Sequence, residues 1–144
     1  MKKIRVAIAG ASGYAGAELV RLAALHPYFE LHAVTSEKSA GTPVASVFPS
    51  LAGLVSLSFQ ALSPEALADQ VDAVFLALPH TKSLEPVSAC LQTGKLVVDL
   101  SADYRLKDSA VYEQWYRTPH TYASLLKDAV YGLPELHRAA IAKA

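Results

Sequence analysis

Apolar residues along this chain fall into two alternating kinds of segment. Short continuous runs suit strands covered on both faces, and longer stretches show the three-and-four spacing of a helix. Lys3 to Ala9 reads as the first strand and Tyr14 to His26 as the first helix. Ala15, Leu19, Leu22 and Ala23 are predicted to form the buried face of that helix, with Glu18 and Arg21 elsewhere on it. Pro27 ends it, because the proline ring removes the amide proton that the helix ladder requires. Leu31 to Thr35 reads as a second strand, Leu57 to Leu62 as a short further one, Asp72 to Leu78 as the next buried strand and Lys95 to Leu100 as the strand after it. Ser63, Pro64 and Glu65 supply the cap, first-position proline and first-turn acid of a helix ending by Gln70, and Ser83 to Thr93 is a helix stopped by Gly94. Ser36 to Ser56 is rich in Ser, Gly, Pro and Ala and has little periodicity, so it is expected to be a loop with one short helical turn. It is longer than a compact domain needs, which marks it as functional. After Ser101 the alternation breaks. Asp108 to Arg117 is predicted as a helix with Val111, Tyr112 and Trp115 inward, and Leu133-Pro134-Glu135 opens a last helix.

Strands separated by helical crossovers imply a parallel sheet, since parallel neighbours need long return connections and right-handed crossovers put helices on both faces. The expected architecture is α/β, a Rossmann-type doubly wound parallel sheet, forming one domain over residues 1–144. The apolar fraction of 52% against 18% charged residues is high for a free-standing globule, so some apolar surface is expected to face a partner. Thirteen basic and thirteen acidic residues are scattered, which leaves no basic stripe for nucleic acid or a membrane surface. The run after Met1-Lys2-Lys3 is broken by Gly10, Ser12, Gly13 and Gly16 too early for a secretory leader. Cys90 is the sole cysteine, so a reducing, cytoplasmic setting is expected.

The chemistry gathers where strands end. Gly10-Ala11-Ser12-Gly13-Tyr14-Ala15-Gly16 lies between the first strand and first helix, which is where a dinucleotide fingerprint belongs. Gly10 can turn sharply off the strand, Gly13 can let the backbone approach a pyrophosphate, and Gly16 can let the helix pack close to the sheet. The amides at Ser12, Gly13, Tyr14 and Ala15 then lie near the positive end of the helix dipole, and the Ser12 hydroxyl can cap the helix or bond a phosphate oxygen. The glycine spacing is one residue longer than the commonest form, and the alternative is that these glycines only permit tight packing. At the end of the second strand, Thr35, Ser36 and Lys38 replace the carboxylate that binds ribose hydroxyls in NAD enzymes, which favours the 2′-phosphate of NADP(H). Glu37 reaching back to the ribose is the competing possibility.

Ligands of such sheets lie outside the carboxyl ends of the strands. Pro79 and His80 follow one strand and Ser101 the next, so they are candidates for the nicotinamide end. His80 as an ordinary loop histidine is an equal alternative. Arg105 could meet an anionic ligand, although a turn built on Asp103 and a structural arginine pair would use the same letters. Cys90 sits inside a predicted helix with no partnering histidine and reads as a buried structural thiol. His26, His32, His120 and His137 lack metal-ligand spacing and read as structural or surface residues.

Four colinear segments, Gly10 to Arg21 (GASGYAGAELVR), Ala73 to His80 (AVFLALPH), Val98 to Leu106 (VDLSADYRL) and Tyr131 to Arg138 (YGLPELHR), resemble the N-acetyl-γ-glutamyl-phosphate reductase family. Aspartate-semialdehyde dehydrogenases and aminoadipyl-phosphate reductases are its close relatives. The resemblance implies an NADPH-dependent enzyme of arginine biosynthesis that reduces an acyl phosphate to an aldehyde through a cysteine thioester. In that family the cysteine and a proton-transferring histidine belong to a second domain that follows the helix near Pro134. Residues 1–144 are therefore expected to be inactive alone, and neither catalytic residue can be assigned among them. The family also returns a C-terminal helix over the nucleotide domain, so this segment is expected to leave an apolar face bare and to self-associate weakly, and the full-length form is expected to be a homo-oligomer. A stand-alone NADP(H)-binding regulatory module is the reading from a different functional class.

Overall fold

The structure is a computed structural model and describes residues 2–144. Four strands form one all-parallel sheet in the order β2-β1-β3-β4: β1 (Ile4–Ala9), β2 (Phe29–Val34), β3 (Ala73–Leu76) and β4 (Leu96–Asp99). The chain leaves β1 to form β2 on one side and then crosses to form β3 on the other, so the strand order reverses at the β1/β3 junction. A crevice opens beyond the strand ends at such a point.

The helices sit on both faces. On one face α1 (Tyr14–Leu25) covers Val6, Ile8 and Val34, together with Val44, Leu51 and Phe59 from the long connection after β2. On the other, α3 (Pro64–Ala68) and α4 (Leu84–Gln92) cover Ala7, Ala9, Val74 and Leu76. Strand residues alternate between these two cores because successive side chains point to opposite faces. Val6, Ala7 and Ile8 are all fully buried, the mark of a central strand covered on both sides.

Most helix boundaries fall within a residue or two of their predicted places. The Ser63 hydroxyl accepts from the Ala66 N–H at 3.3 Å and caps α3 with Pro64 in first position. Gly94 ends the α4 turn at φ +71°.

Four expectations are corrected. The buried face of α1 is Gly16, Val20 and Ala23, with Leu19 half-buried, while Ala15 and Leu22 are exposed. Gly16 lies so close to the chain at Gly10 and Ala11 that it sets which side of the helix meets the sheet. Residues 57–62 do not form a strand; they make single bridges, Gln60 parallel to Thr35 and Ser58 antiparallel to Pro43. The 36–56 connection holds two short helical pieces, α2 (Val44–Val47) and a 3-10 turn at Pro49–Leu51. In α5 (Ser109–Tyr116) only Tyr112 is buried, whereas Val111 and Trp115 are exposed, at 37% and 73%. The last helix, α6 (Pro134–Ile141), buries no residue.

Leu96 and Val98 stand exposed along β4 on the α1 side of the sheet, and Leu100 is exposed just past its end. Their cross-strand neighbours Ala73 and Phe75 belong to the core beneath α1, which does not reach β4. An apolar face is therefore bare, as expected.

Candidate functional site

The strand ends line up as a row, about 14 Å across for four strands at the usual spacing. The glycine bend occupies its centre. The Ala11 N–H donates to the Thr35 carbonyl at 2.9 Å, tying the bend to the end of β2. The Ser36 hydroxyl donates to Ser12 Oγ at 2.7 Å and in turn accepts the Ser39 N–H at 3.2 Å. The structure thus brings Gly10, Ser12, Thr35 and Ser36 together, with Thr35 and Ser36 both buried. Ser12 does not cap α1, one of the two roles open to it.

Three glycines in this bend answer to different constraints. Gly10 has φ +76°, and a Cβ there would lie 2.5 Å from the Ala77 carbonyl oxygen. A Cβ on Gly16 would lie 2.5 to 2.7 Å from backbone atoms of Gly10 and Ala11. These two are required by the protein's own chain. Gly13 is different, since a Cβ there meets only the Gly10 oxygen, at 3.9 Å, and its φ of −83° suits any residue. Nothing in the fold explains a glycine at position 13, but close approach by a ligand would.

Gly13 is also the cap position of α1, and no side chain caps this helix. The first intrahelical bond runs from the Ala17 N–H to the Gly13 carbonyl at 2.8 Å. The amides of Tyr14, Ala15 and Gly16 consequently point out of the helix start without intrahelical acceptors. No acidic side chain lies in that first turn, and the Tyr14 ring is 97% exposed. Unopposed amides at the positive end of a helix dipole fit a diphosphate. At the edge of this bend Lys38 is exposed and forms no ion pair among the described residues, with Glu37 exposed beside it.

On the other side of the bend, Leu78, Pro79 and His80 follow β3, and Pro79 and His80 are exposed. His80 Nδ1 accepts the Ala102 N–H at 3.1 Å, which joins the β3 end to the β4 end. Ser101 is buried, and its hydroxyl donates to Asp99 at 2.6 Å while accepting the Asp103 N–H at 3.0 Å. Its side chain thus already has a donor and an acceptor partner within its own turn. Arg105 donates to the Ser101 carbonyl at 3.2 Å. It lines a cleft of about 330 Å³ with Leu106, Trp115 and Tyr116.

Asp103 does more than form a turn. Its carboxylate is fully buried and accepts hydrogen bonds from the Thr81 N–H, the Ser83 N–H and the Tyr112 hydroxyl. Burial first, and then the bond to Asp103, push the Tyr112 phenol far above its ordinary range, so it stays a donor. His120, also buried, donates from Nε2 to the Asp103 carbonyl at 2.6 Å and packs edge-on against Tyr104 and Tyr112. Cys90 is fully buried, and desolvation first, then the charge of Glu65, push its thiol up to about 11. A thiol held neutral in this way is no nucleophile. No group of three His, Cys, Asp or Glu side chains among the described residues could hold a metal ion.

A parallel sheet with a strand-order reversal, and a glycine bend opening uncapped amides at that reversal, define a Rossmann-type dinucleotide-binding domain. Residues 5–144 match the family described as "Semialdehyde dehydrogenase, NAD binding domain". The chain belongs to that family. It is 52% identical over 141 residues to an N-acetyl-gamma-glutamyl-phosphate reductase of Citrifermentans bemidjiense, a match covering 98% of this chain and 40% of the relative. It is 53% identical over 134 residues to a LysW-L-2-aminoadipate/LysW-L-glutamate phosphate reductase of Sulfurisphaera tokodaii, covering 93% of this chain and 38% of the relative. The chain thus spans about 40% of the length of these curated relatives. Among solved structures, an aspartate semialdehyde dehydrogenase II of Vibrio cholerae aligns over 99% of this chain and 39% of its own, with a TM-score of 0.66 at 18% identity. An aspartate semialdehyde dehydrogenase with NADP from Candida albicans aligns over 75% of this chain and 32% of its own, with a TM-score of 0.63 at 24% identity. These two support the fold.

Proposed function

We propose that residues 1–144 are the NADP(H)-binding part of an N-acetyl-γ-glutamyl-phosphate reductase, a cytoplasmic enzyme of arginine biosynthesis that converts an acyl phosphate to a semialdehyde. The observation that carries this reading is the 52% identity across nearly the whole chain, joined to a phosphate bend that the fold leaves open. When bound, the coenzyme supplies the hydride. The protein's own residues bind and orient it. Ser12, Gly13, Tyr14, Ala15 and Gly16 offer main-chain amides to the diphosphate, with Gly10 shaping the bend. Thr35, Ser36 and Lys38 face the 2′-phosphate, where hydroxyls and one cation stand in place of a carboxylate. Pro79, His80 and Ser101 frame the nicotinamide end, and Arg105 with its cleft is suited to an anionic group of the substrate.

The burial of Cys90 supports placing the nucleophile outside these residues, in the portion of the relatives that this match does not cover. The chain alone is then inactive, and its bare β4 face supports weak association between copies and an oligomeric full-length enzyme. A second reading has its own support. The 53% identity to a LysW-L-2-aminoadipate/LysW-L-glutamate phosphate reductase fits the coenzyme half of an aminoadipyl-phosphate reductase equally well.

Titration of this chain with NADPH and NADH, followed by nucleotide fluorescence, tests the coenzyme assignment. NADPH is expected to bind at least tenfold more tightly, and Lys38→Glu to remove most of that preference. Equal affinities in the unsubstituted chain would refute the 2′-phosphate site.

A further inference from the structure

The start of helix α4 is held from a distance. Ser83 stands at its cap position, yet the Ser83 hydroxyl is buried without a hydrogen-bond partner. The usual side-chain cap comes from that position. Here Asp103 takes instead the N–H of the cap residue itself, Ser83, at 2.9 Å, and the Thr81 N–H just ahead of it at 2.8 Å. No basic side chain pairs with Asp103 among the described residues. The helix dipole and three neutral donors therefore offset its charge.

The same carboxylate holds a strained turn. Thr81 has φ +68°, a left-handed conformation that β-branched residues avoid. Its N–H bond to Asp103 keeps it there. The neighbouring His80 is fixed by the residue before Asp103, since the Ala102 N–H donates to His80 Nδ1. With Nδ1 accepting, the neutral ring carries its proton on Nε2, and His80 is exposed. The rings of His80 and Tyr116 lie 5.7 Å apart, and Tyr116 stacks on Tyr112, whose hydroxyl donates to Asp103.

We propose that Asp103 is a positioning residue for the coenzyme: its buried carboxylate locks the 79–83 turn so that His80 presents its Nε2–H to the nicotinamide half of the dinucleotide. The inference rests on the coenzyme site proposed above. It assigns to Asp103 no contact with the ligand.

Two ligands separate the possibilities on this chain. NADPH spans both halves of the site, whereas 2′,5′-ADP carries the adenosine half and stops short of His80. In Asp103→Asn an amide N–H must face donors, so the turn should loosen. NADPH affinity is expected to fall about tenfold, the effect of one misaligned hydrogen bond, with 2′,5′-ADP affinity unchanged within twofold. His80→Ala should give a similar selective loss, and the double variant should lose no more than His80→Ala alone. An equal loss for both ligands, additive losses in the double variant, or full NADPH affinity in Asp103→Asn would each overturn the proposal. Should Asp103→Asn not fold, Tyr112→Phe removes one donor while keeping the ring, and about a threefold selective loss is required of it. If the unsubstituted chain fails to bind 2′,5′-ADP, the coenzyme site itself is refuted, a failure distinct from that of the Asp103 role.

Discussion

Alanine at Gly13 and alanine at Gly16 should separate what the fold needs from what the ligand needs. At Gly16 the new methyl would meet three backbone atoms of Gly10 and Ala11 at 2.5 to 2.7 Å, and backbone cannot rotate away as a side-chain tip can. Overpacking of this kind costs about 1 to 3 kcal/mol. The gain from stiffening the unfolded chain returns at most about 1 kcal/mol, which leaves a net loss of about 1 to 2 kcal/mol. With about 2.1 cal/mol/K of unfolding entropy per residue, that lowers Tm by roughly 3 to 7 °C. At Gly13 the methyl has open space, and the modest cost of a poorer cap is offset by the same unfolded-state gain. Tm should then move by less than about 2 °C. That methyl, however, projects where the diphosphate is expected, so NADPH affinity should fall at least tenfold while the fold is intact. Calorimetry and NADPH titration on the two variants give the answer. Full NADPH affinity in Gly13→Ala would refute the assignment of that space to the ligand.

The pH dependence is signed. Cys90 is raised from 9.0 to about 11, so its contribution to stability is complete below pH 9 and is lost as pH rises toward 11. Denaturant midpoints should fall across that window, and Cys90→Ala should flatten the fall. At pH 8 a thiol reagent should react with Cys90 only at the rate of unfolding, and rapid stoichiometric labelling of the native chain would contradict its burial. The Lys107 ammonium donates to the carbonyls of Leu126 at 2.9 Å and Lys127 at 3.2 Å, and also to that of Ala129. Lys107→Met should accelerate amide exchange in residues 126–130 without altering the sheet, and unchanged protection there would show that the bonds contribute little.

How far the letters reveal this fold depends on how local each cause is. The glycine bend was legible because Gly16 answers to backbone atoms within six residues of it and Gly10 to its own positive φ, whereas the contact of Gly10 with the distant Ala77 carbonyl left no mark in the letters. Ser63, Pro27 and Gly94 act on their own helix ends and were equally plain. The buried face of α1 was not, because Leu19 and Leu22 draw attention on hydrophobicity while a glycine with no side chain decides which way the helix turns. Tyr112 was not separated from Val111 and Trp115, since the carboxylate it bonds lies nine residues away in another segment. Asp103 was hidden for the same reason. Its partners at Thr81 and Ser83 are brought to it only by the pairing of β3 with β4, and no periodicity records that. The 57–62 segment has strand-like letters, but single bridges at Ser58 and Gln60 are all the neighbouring backbone leaves it.

Trp115 is the only tryptophan of the chain, and it rides on α5 one turn beyond Tyr112 with most of its surface in solvent. Any disturbance of the Asp103 contact that shifts α5 will therefore change the surroundings of the single indole. The protein carries its own optical gauge of that turn, and its emission can be followed without a label while ligands are added.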